Sequence, residues 1–196
     1  MVGWHVRAAS VRFVCLLKRF ASEMSGVSAV EFALILPLML IIYAGCGELT
    51  MALVIDRKVS RAASTISDLV AQQSSVSATL MTNIFDATTA ILEPYDSSVA
   101  KVVVAVVDIT SSGQRVSWSK ARNDTAATSN TTPPTALVVP STIASVGDEV
   151  VVGRVTYVFN SPFASVMQSV TGGTAYNLSH IFYLKPRQGS TISFTN

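Results

Sequence analysis

Residues 27–55 read VSAVEFALILPLMLIIYAGCGELTMALVI and form a long apolar segment near the N-terminus. No charged residue occurs between Phe32 and Gly47. A helix needs roughly 20 residues to cross a membrane core of about 30 Å, and this segment is longer than that. We therefore expect a transmembrane helix over residues 27–55. Pro37 removes one helical hydrogen bond and is expected to bend it, and Glu48 is expected to lie toward the far interface.

Basic residues flank this segment on both sides. Four precede it and three follow it, namely Arg7, Arg12, Lys18 and Arg19, then Arg57, Lys58 and Arg61. This distribution gives a weak preference for a cytoplasmic N-terminus. The region that follows is rich in Ser, Thr, Val and Asn and poor in Lys and Glu, as exported domains often are. We expect a single-pass topology with the C-terminal region outside the cytoplasm.

The composition limits the classes of function. Of the 196 residues, 49% are apolar and 13% are charged, against a usual charged share of about 25%. The net charge of +2 is too small to indicate a nucleic-acid partner. The two cysteines, Cys15 and Cys46, lie in the basic leader and in the apolar segment, so an exported domain contains no internal disulfide. The length allows one domain plus an anchor.

Beyond the apolar segment the pattern changes from helix to strand. Apolar residues keep a helical spacing after residue 56, with a second helical piece at 78–92 that ends before Pro94. The predicted strands are 101–109, 114–119, 136–139, 149–159, 178–184 and 191–194, and 123–135 is predicted as a mobile polar loop. Helices first and strands later indicate an α+β fold with a small antiparallel sheet. The expected regions are a leader at 1–26, the transmembrane helix at 27–55, a helical continuation at 56–93 and a β-rich extracytoplasmic domain at 94–196.

The chain offers little for catalysis or metal binding. Its two histidines are His5 and His180, and the exported region has no His/Cys pair to begin a metal site. Neither a Gly-x-Ser-x-Gly elbow nor a Gly-rich phosphate loop occurs in the sequence. We expect no catalytic residue, cofactor or metal, and a structural or surface role for His180. An anchored hydrolase that uses a serine of the strand region stays open as an alternative.

Cys46 has a second interpretation, because Tyr43-Ala44-Gly45-Cys46 places small residues before a cysteine, as in lipoproteins. However, Tyr43 stands where Leu, Val or Ile is usual, and the apolar segment continues to Ile55. We favour Cys46 as a helix residue that packs among lipids or partner helices. An anchored lipoprotein is the less favoured alternative.

Gly26 and Glu31 stand where the basic leader meets the apolar segment. A carboxylate close to a bilayer core is costly, so Glu31 needs a reason. One interpretation is a signal anchor whose glutamate is stabilised by the positive end of the helix dipole. The other is a processing junction, because a cut after Gly26 frees an ammonium at Val27, one helical turn from Glu31. In an assembled bundle, Glu31 could pair with the amine of a neighbouring subunit, which would compensate its buried charge.

The string GVSAVEFALILP, residues 26–37, resembles the N-terminal motif of the TadE/TadG-like family. Members of this family are pseudopilin-like proteins of the tight-adherence (Flp pilus) secretion machinery. GCGEL at 45–49 is similar to the family's second glutamate at the end of the span, here Glu48. Looser similarity covers the strings at 116–119, 155–157 and 183–187. No room remains for the large added domain of TadG-type proteins, so the TadE type fits better.

The resemblance implies a pilin-like, non-enzymatic minor pseudopilin that acts in assembly of a tight-adherence (Flp, type IVc) pilus or its secretion machinery. It implies a bacterial inner-membrane or pilus-associated location, cleavage by a prepilin peptidase between Gly26 and Val27, and an assembly role for Glu31. Phe32, Pro37 and Glu48 would belong to the spanning helix. The implied partners are prepilin peptidase, other pilin or pseudopilin subunits, Tad machinery proteins and inner-membrane lipid, with no nucleic acid. An uncleaved membrane-anchored adhesin or binding module remains the alternative.

Overall fold

The computed structural model describes residues 24–163, 168, 172 and 175–195. Most of the predicted leader, with Cys15 and its basic residues, therefore lies outside the described residues. The chain divides into two compact units, Met1–Gly47 and Glu48–Asn196.

A single helix, α1, runs from Met24 to Ala71 and supplies residues to both units. Its sequence is dominated by Ala, Leu, Ile and Met, and Pro37 lies inside it. In the first unit, every side chain from Gly26 to Tyr43 is exposed. Among the described residues, α1 is the one helix long and apolar enough to cross a membrane, over Gly26–Ala71.

The second unit combines helices with a four-stranded antiparallel sheet. After α1 the elements are β1 (Ser75–Ser77), α2 (Ala78–Ala90), β2 (Lys101–Thr110), β3 (Gly113–Arg122), β4 (Glu149–Asn160), β5 (Ala175–Leu184) and β6 (Ser193–Thr195), with short 3-10 helices at Ser97–Val99 and Thr135–Leu137. The sheet order is β3-β2-β4-β5, and every neighbouring pair is antiparallel. The α+β fold predicted from the sequence is confirmed.

The sheet is buried on both faces. On one face, residues such as Val104 and Val155 pack against α1 and α2 in the larger core. Successive side chains of a strand point to opposite faces, so Val103 and Val152 belong to a second, smaller core. The loop between β3 and β4 covers this second face with Leu137 and Val139. The unbroken valine runs of β2 and β4 therefore supply two cores at once.

α1 and β4 approach each other closely at Gly153. A side-chain methyl built at Gly153 would overlap the Ser67 hydroxyl, and would lie 3.0 Å from the Ile66 side chain and 3.2 Å from the Ala63 carbonyl oxygen. The Ser67 hydroxyl is held in place because it donates to the Ala63 carbonyl over 2.9 Å. Only glycine at this position of β4 permits the observed distance between helix and strand.

The C-terminal segment is attached away from the main sheet. The strand predicted at 191–194 is found as β6, but it pairs in parallel with β1, so that Val76 faces Phe194. β1 itself interrupts the helical region, because the chain leaves α1 at Ala71 and starts α2 after Ser77, whose hydroxyl caps the helix by accepting from Leu80 N. The Trp118 indole also donates to the Ile192 carbonyl over 2.7 Å, which ties this segment to β3.

The strand predicted at 136–139 is wrong. Thr135–Leu137 forms a 3-10 helix after Pro134, closed by the Leu137 N–H donating to the Pro134 carbonyl. The neighbouring Val139 has no strand partner. Instead, the Gln114 side chain donates to the Val139 carbonyl over 2.6 Å and accepts from its N–H over 2.9 Å. One side-chain amide thus satisfies the backbone groups that a neighbouring strand would otherwise satisfy.

Candidate functional site

The predicted cut site lies within the first turns of α1. Gly26 and Val27 both have helical backbone, and Val27 is 59% exposed. A methyl built at Gly26 would meet no atom within 4 Å. Glycine inside a helix costs about 1 kcal/mol relative to alanine. The fold of this chain therefore gives no reason for glycine at position 26, which leaves room for a reason outside the chain, such as recognition by a peptidase.

Glu31 lies one helical turn after Val27 on the same side of α1 and is exposed. Within the described part of the chain it has no hydrogen-bond or ion-pair partner. Its neighbours at i+1 and i+4, Phe32 and Ile35, are 63% and 54% exposed. The carboxylate thus lies among apolar side chains that the described residues leave exposed.

The apolar surface of the first unit is extensive. Twelve large apolar side chains between Val27 and Tyr43 are exposed, and none of the residues in the most apolar 18-residue window is buried. Water does not accommodate such a surface, because each large apolar side chain gains roughly 1.5–3 kcal/mol on burial. An apolar environment such as a bilayer would cover it. The helix that carries Phe32 and Pro37 therefore has the properties of a membrane anchor.

Glu48 differs from Glu31, because it is buried. Only 3% of Glu48 is exposed, and its Oε2 accepts a hydrogen bond from the Ser161 hydroxyl over 2.7 Å. The same hydroxyl accepts from the Phe163 N–H over 3.0 Å. Glu48 Oε1 is buried and has no hydrogen-bond partner among the described residues. Glu48 thus joins α1 to the segment that follows β4. No local pattern indicates Ser161 as its partner, because the two residues are 113 positions apart.

A group of carboxylates lies at one end of the sheet, where Asp108 of β2 is paired with Glu149 of β4. These two residues are directly paired across β2 and β4, and they line an open groove of about 490 Å³ with Asp148 and residues of the C-terminal segment. Glu149 Oε1 accepts from the Ile192 N–H over 2.7 Å. Asp148 is instead paired with Lys185 at 2.7 Å.

The pKa values of the adjacent residues Asp148 and Glu149 are shifted in opposite directions. Burial raises the pKa of Glu149 to about 7, the Ile192 N–H opposes that shift, and the nearby Asp108 carboxyl adds to it. The hydrogen bond from Lys185 lowers the pKa of Asp148. The Glu149 contact fastens the C-terminal segment to the sheet, which is a structural role. No motif in the sequence indicates this pair, although each carboxylate adjoins an all-apolar strand segment.

His180 also has a structural contact. Its Nε2 lies 2.8 Å from the Asp56 carboxylate of α1, so the pair connects β5 to the helix. No three His, Cys, Asp or Glu side chains of the described residues come together as a metal site.

Comparison with known proteins bears on the helix that carries these residues. Residues 26–67 match the family model of TadE-like proteins. This segment is TadE-like. The resemblance seen in the sequence over residues 26–49 is confirmed, and the match extends along α1 to Ser67, where the helix meets Gly153. No curated protein and no solved structure matches the chain.

The TadE-like segment contains Gly26, Glu31 and Glu48, and it spans both the uncovered part of α1 and the part that packs on the sheet. The strings at 116–119, 155–157 and 183–187 lie outside the match. TadE-like proteins are a pilus-related and generally non-enzymatic family.

Proposed function

We propose that this protein is a non-enzymatic TadE-type minor pseudopilin that acts in assembly of a tight-adherence pilus or of its secretion machinery. The observation that carries the proposal is the TadE-like match over a helix whose apolar surface the described residues leave uncovered. Pilins and pseudopilins use such a helix twice, first as a membrane anchor and then as the packing surface in an assembly. The proposed location is the bacterial inner membrane, with the sheet domain outside the cytoplasm.

Cleavage between Gly26 and Val27 by a prepilin peptidase is the first step of the proposal. Glycine at position 26 is not required by the chain's own packing, which fits a recognition role. We expect that co-expression with a prepilin peptidase gives a chain whose N-terminal residue is Val27, as read by N-terminal sequencing and intact mass. Gly26→Val should block the cut, whereas Gly45→Val, a matched change at another uncrowded helix glycine, should not.

Glu31 is proposed to act in the next step. After cleavage, its carboxylate would lie four residues from a new ammonium, and it has no partner of its own within the described residues. A neighbouring subunit's amine would compensate the charge once both are removed from water. Glu31→Ala should be cleaved normally and fail to support pilus assembly, as scored by pilus yield. Normal pili with Glu31→Ala would remove Glu31 from assembly while leaving the cleavage proposal intact.

An uncleaved membrane-anchored binding module is the second candidate. The backbone at Gly26 and Val27 is helical, and a peptidase would have to unwind this turn to reach the bond. A mature chain that still begins at Met1 in the presence of the peptidase would establish the uncleaved form.

A further inference from the structure

The helix face that follows the apolar segment changes from apolar to basic. Leu49 and Leu53 are 61% and 52% exposed, and at successive steps of four residues they are followed by Arg57 and Arg61, which are also exposed. Residues four apart are neighbours on a helix surface. The two guanidinium groups therefore emerge one turn apart at the end of an apolar stripe.

Neither arginine has a partner in the described part of the chain. Four other cations of the second unit, Arg122, Arg154, Lys185 and Arg187, each pair with an aspartate. Lys58, between the two arginines in sequence, donates to the carbonyls of Ile91 and Glu93. The adjacent acid, Asp56, is paired with His180. Arg57 and Arg61 are thus left without a counter-charge.

The exposed apolar stripe of the helix ends directly before these arginines. Leu49 and Leu53 continue the exposed apolar surface on this face, while Glu48 packs against Ser161 on another face. Arg57 follows Leu53 by four residues, or about 6 Å, and Arg61 lies one further turn along. Helical side chains tilt toward the N-terminus of their helix, so both arginines lean back toward the apolar segment. Long basic side chains reach headgroups in this way.

We propose that Arg57 and Arg61 form a binding site for the phosphate of an anionic phospholipid in the leaflet where α1 leaves the membrane. A guanidinium group presents a planar fork of donors that matches phosphate oxygens, and two such groups one turn apart can hold one phosphodiester. An anionic headgroup supplies the missing negative charge, whereas the ammonium of a zwitterionic headgroup would meet two cations. This inference rests on α1 spanning the membrane and is independent of the pilus role.

The test uses the full-length protein, reconstituted in nanodiscs of mixed phosphatidylglycerol and phosphatidylcholine and released into native mass spectrometry. We expect the wild-type protein to retain phosphatidylglycerol preferentially. Arg57→Gln and Arg61→Gln should each lower that preference roughly fivefold, since a basic residue at a membrane surface contributes about 1 kcal/mol with anionic lipid. Arg115→Gln is the matched control, because Arg115 is exposed and unpaired among the described residues but lies at the Asp108 end of the sheet.

All these variants keep Arg7, Arg12, Lys18 and Arg19, so lipid bound at that end is a constant background. Equal retention by the wild type and by the double variant R57Q/R61Q would overturn the proposal, as would an equal loss with R115Q. If the double variant retains phosphatidylglycerol normally but no longer associates with other pilin subunits, the occupant is an acidic protein surface, and the lipid proposal is wrong.

Discussion

The contact between α1 and β4 depends on the missing side chain of Gly153. Gly153→Ala would place a methyl against the Ser67 hydroxyl and close to the Ala63 carbonyl, a backbone atom that cannot move away by itself. We expect this change to lower the free energy of unfolding of the second unit by about 1–3 kcal/mol, the usual cost of overpacking. Chemical denaturation of the detergent-solubilised protein, followed by circular dichroism, would measure it.

Two further variants separate crowding from the general effect of adding a methyl group. Gly45→Ala adds one in α1 where no atom lies within 4 Å, and we expect no loss of stability. Ser67→Ala combined with Gly153→Ala removes the worst overlap and should recover part of the loss. If Gly153→Ala unfolds like the wild type, the helix does not rest on the strand at the distance described.

Glu149 gives the second unit a stability that falls as pH rises. Its pKa is raised from 4.5 to about 7 in the folded protein, so the folded state binds more protons than the unfolded state between these values. The stabilisation is complete below about pH 4.5 and is lost as the pH rises through about 7. Glu149→Gln keeps an acceptor for the Ile192 N–H but has no charge, and we expect it to flatten this part of the denaturation profile.

Asp148 provides a control of opposite sign. Its pKa is lowered by the hydrogen bond from Lys185, so its contribution is present at neutral pH and is lost as the pH falls. Asp148→Asn should therefore change the acidic side of the profile and leave the fall toward pH 7 in place. A fall between pH 4.5 and 7 that persists in Glu149→Gln would assign it to another group.

At the scale of elements, the sequence predicted the four strands of the main sheet, but it predicted a strand at 136–139 that does not form and missed β1. Runs of β-branched residues, KVVVAVVDI and EVVVGRVTYVF, indicate β2 and β4 because such side chains suit a pleated surface. The same runs carry valines on both faces, which requires a cover on each. α1 and α2 show the helical spacing of one cover. The β3–β4 loop, which supplies the other cover, has no such periodicity, and it was predicted as a polar, mobile connection at 123–135 followed by a strand at 136–139 that does not form.

The candidate site likewise contains residues that could be predicted from the sequence and contacts that could not. Glu31 and Glu48 could be picked out because they interrupt an apolar segment, and Gly26 because it directly precedes that segment; the TadE-like match includes all three. Their partners could not, since Ser161 joins Glu48 through tertiary folding alone. Ile192 likewise reaches Glu149 through the pairing of β1 with β6, which no local pattern indicates.

Gln114 is the residue that attaches the β3–β4 loop, and its removal tests that element. Gln114→Ala deletes both hydrogen bonds to Val139 and leaves two half-buried backbone groups unpaired, at a cost of roughly 1–3 kcal/mol. We expect faster hydrogen exchange in peptides that cover residues 135–145, measured by mass spectrometry, with β2 unchanged. Gln72→Ala, which deletes one hydrogen bond at the end of α1, should leave the loop protected.

At the scale of the whole molecule, the two units differ in what holds them. Both cores of the second unit are built from residues after Glu48, and the first buried aliphatic side chain of α1 is Ile55. We therefore expect a chain that begins at Glu48 to fold by itself. Its circular dichroism and its hydrogen-exchange protection in β2 and β4 should match those of the intact protein in the same mild detergent.

A chain that begins at Arg61 is the informative comparison, because it lacks Glu48, Ile55 and Val59 but keeps the rest of α1. Ile55 and Val59 are almost fully buried, and each contributes roughly 1.5–3 kcal/mol on burial. Their combined loss is a large share of the 5–15 kcal/mol by which domains are usually stable. We expect the shorter chain to lose cooperative unfolding. Should both chains unfold alike, α1 would serve the sheet only beyond Arg61; should neither fold, the first unit would be needed to form the second.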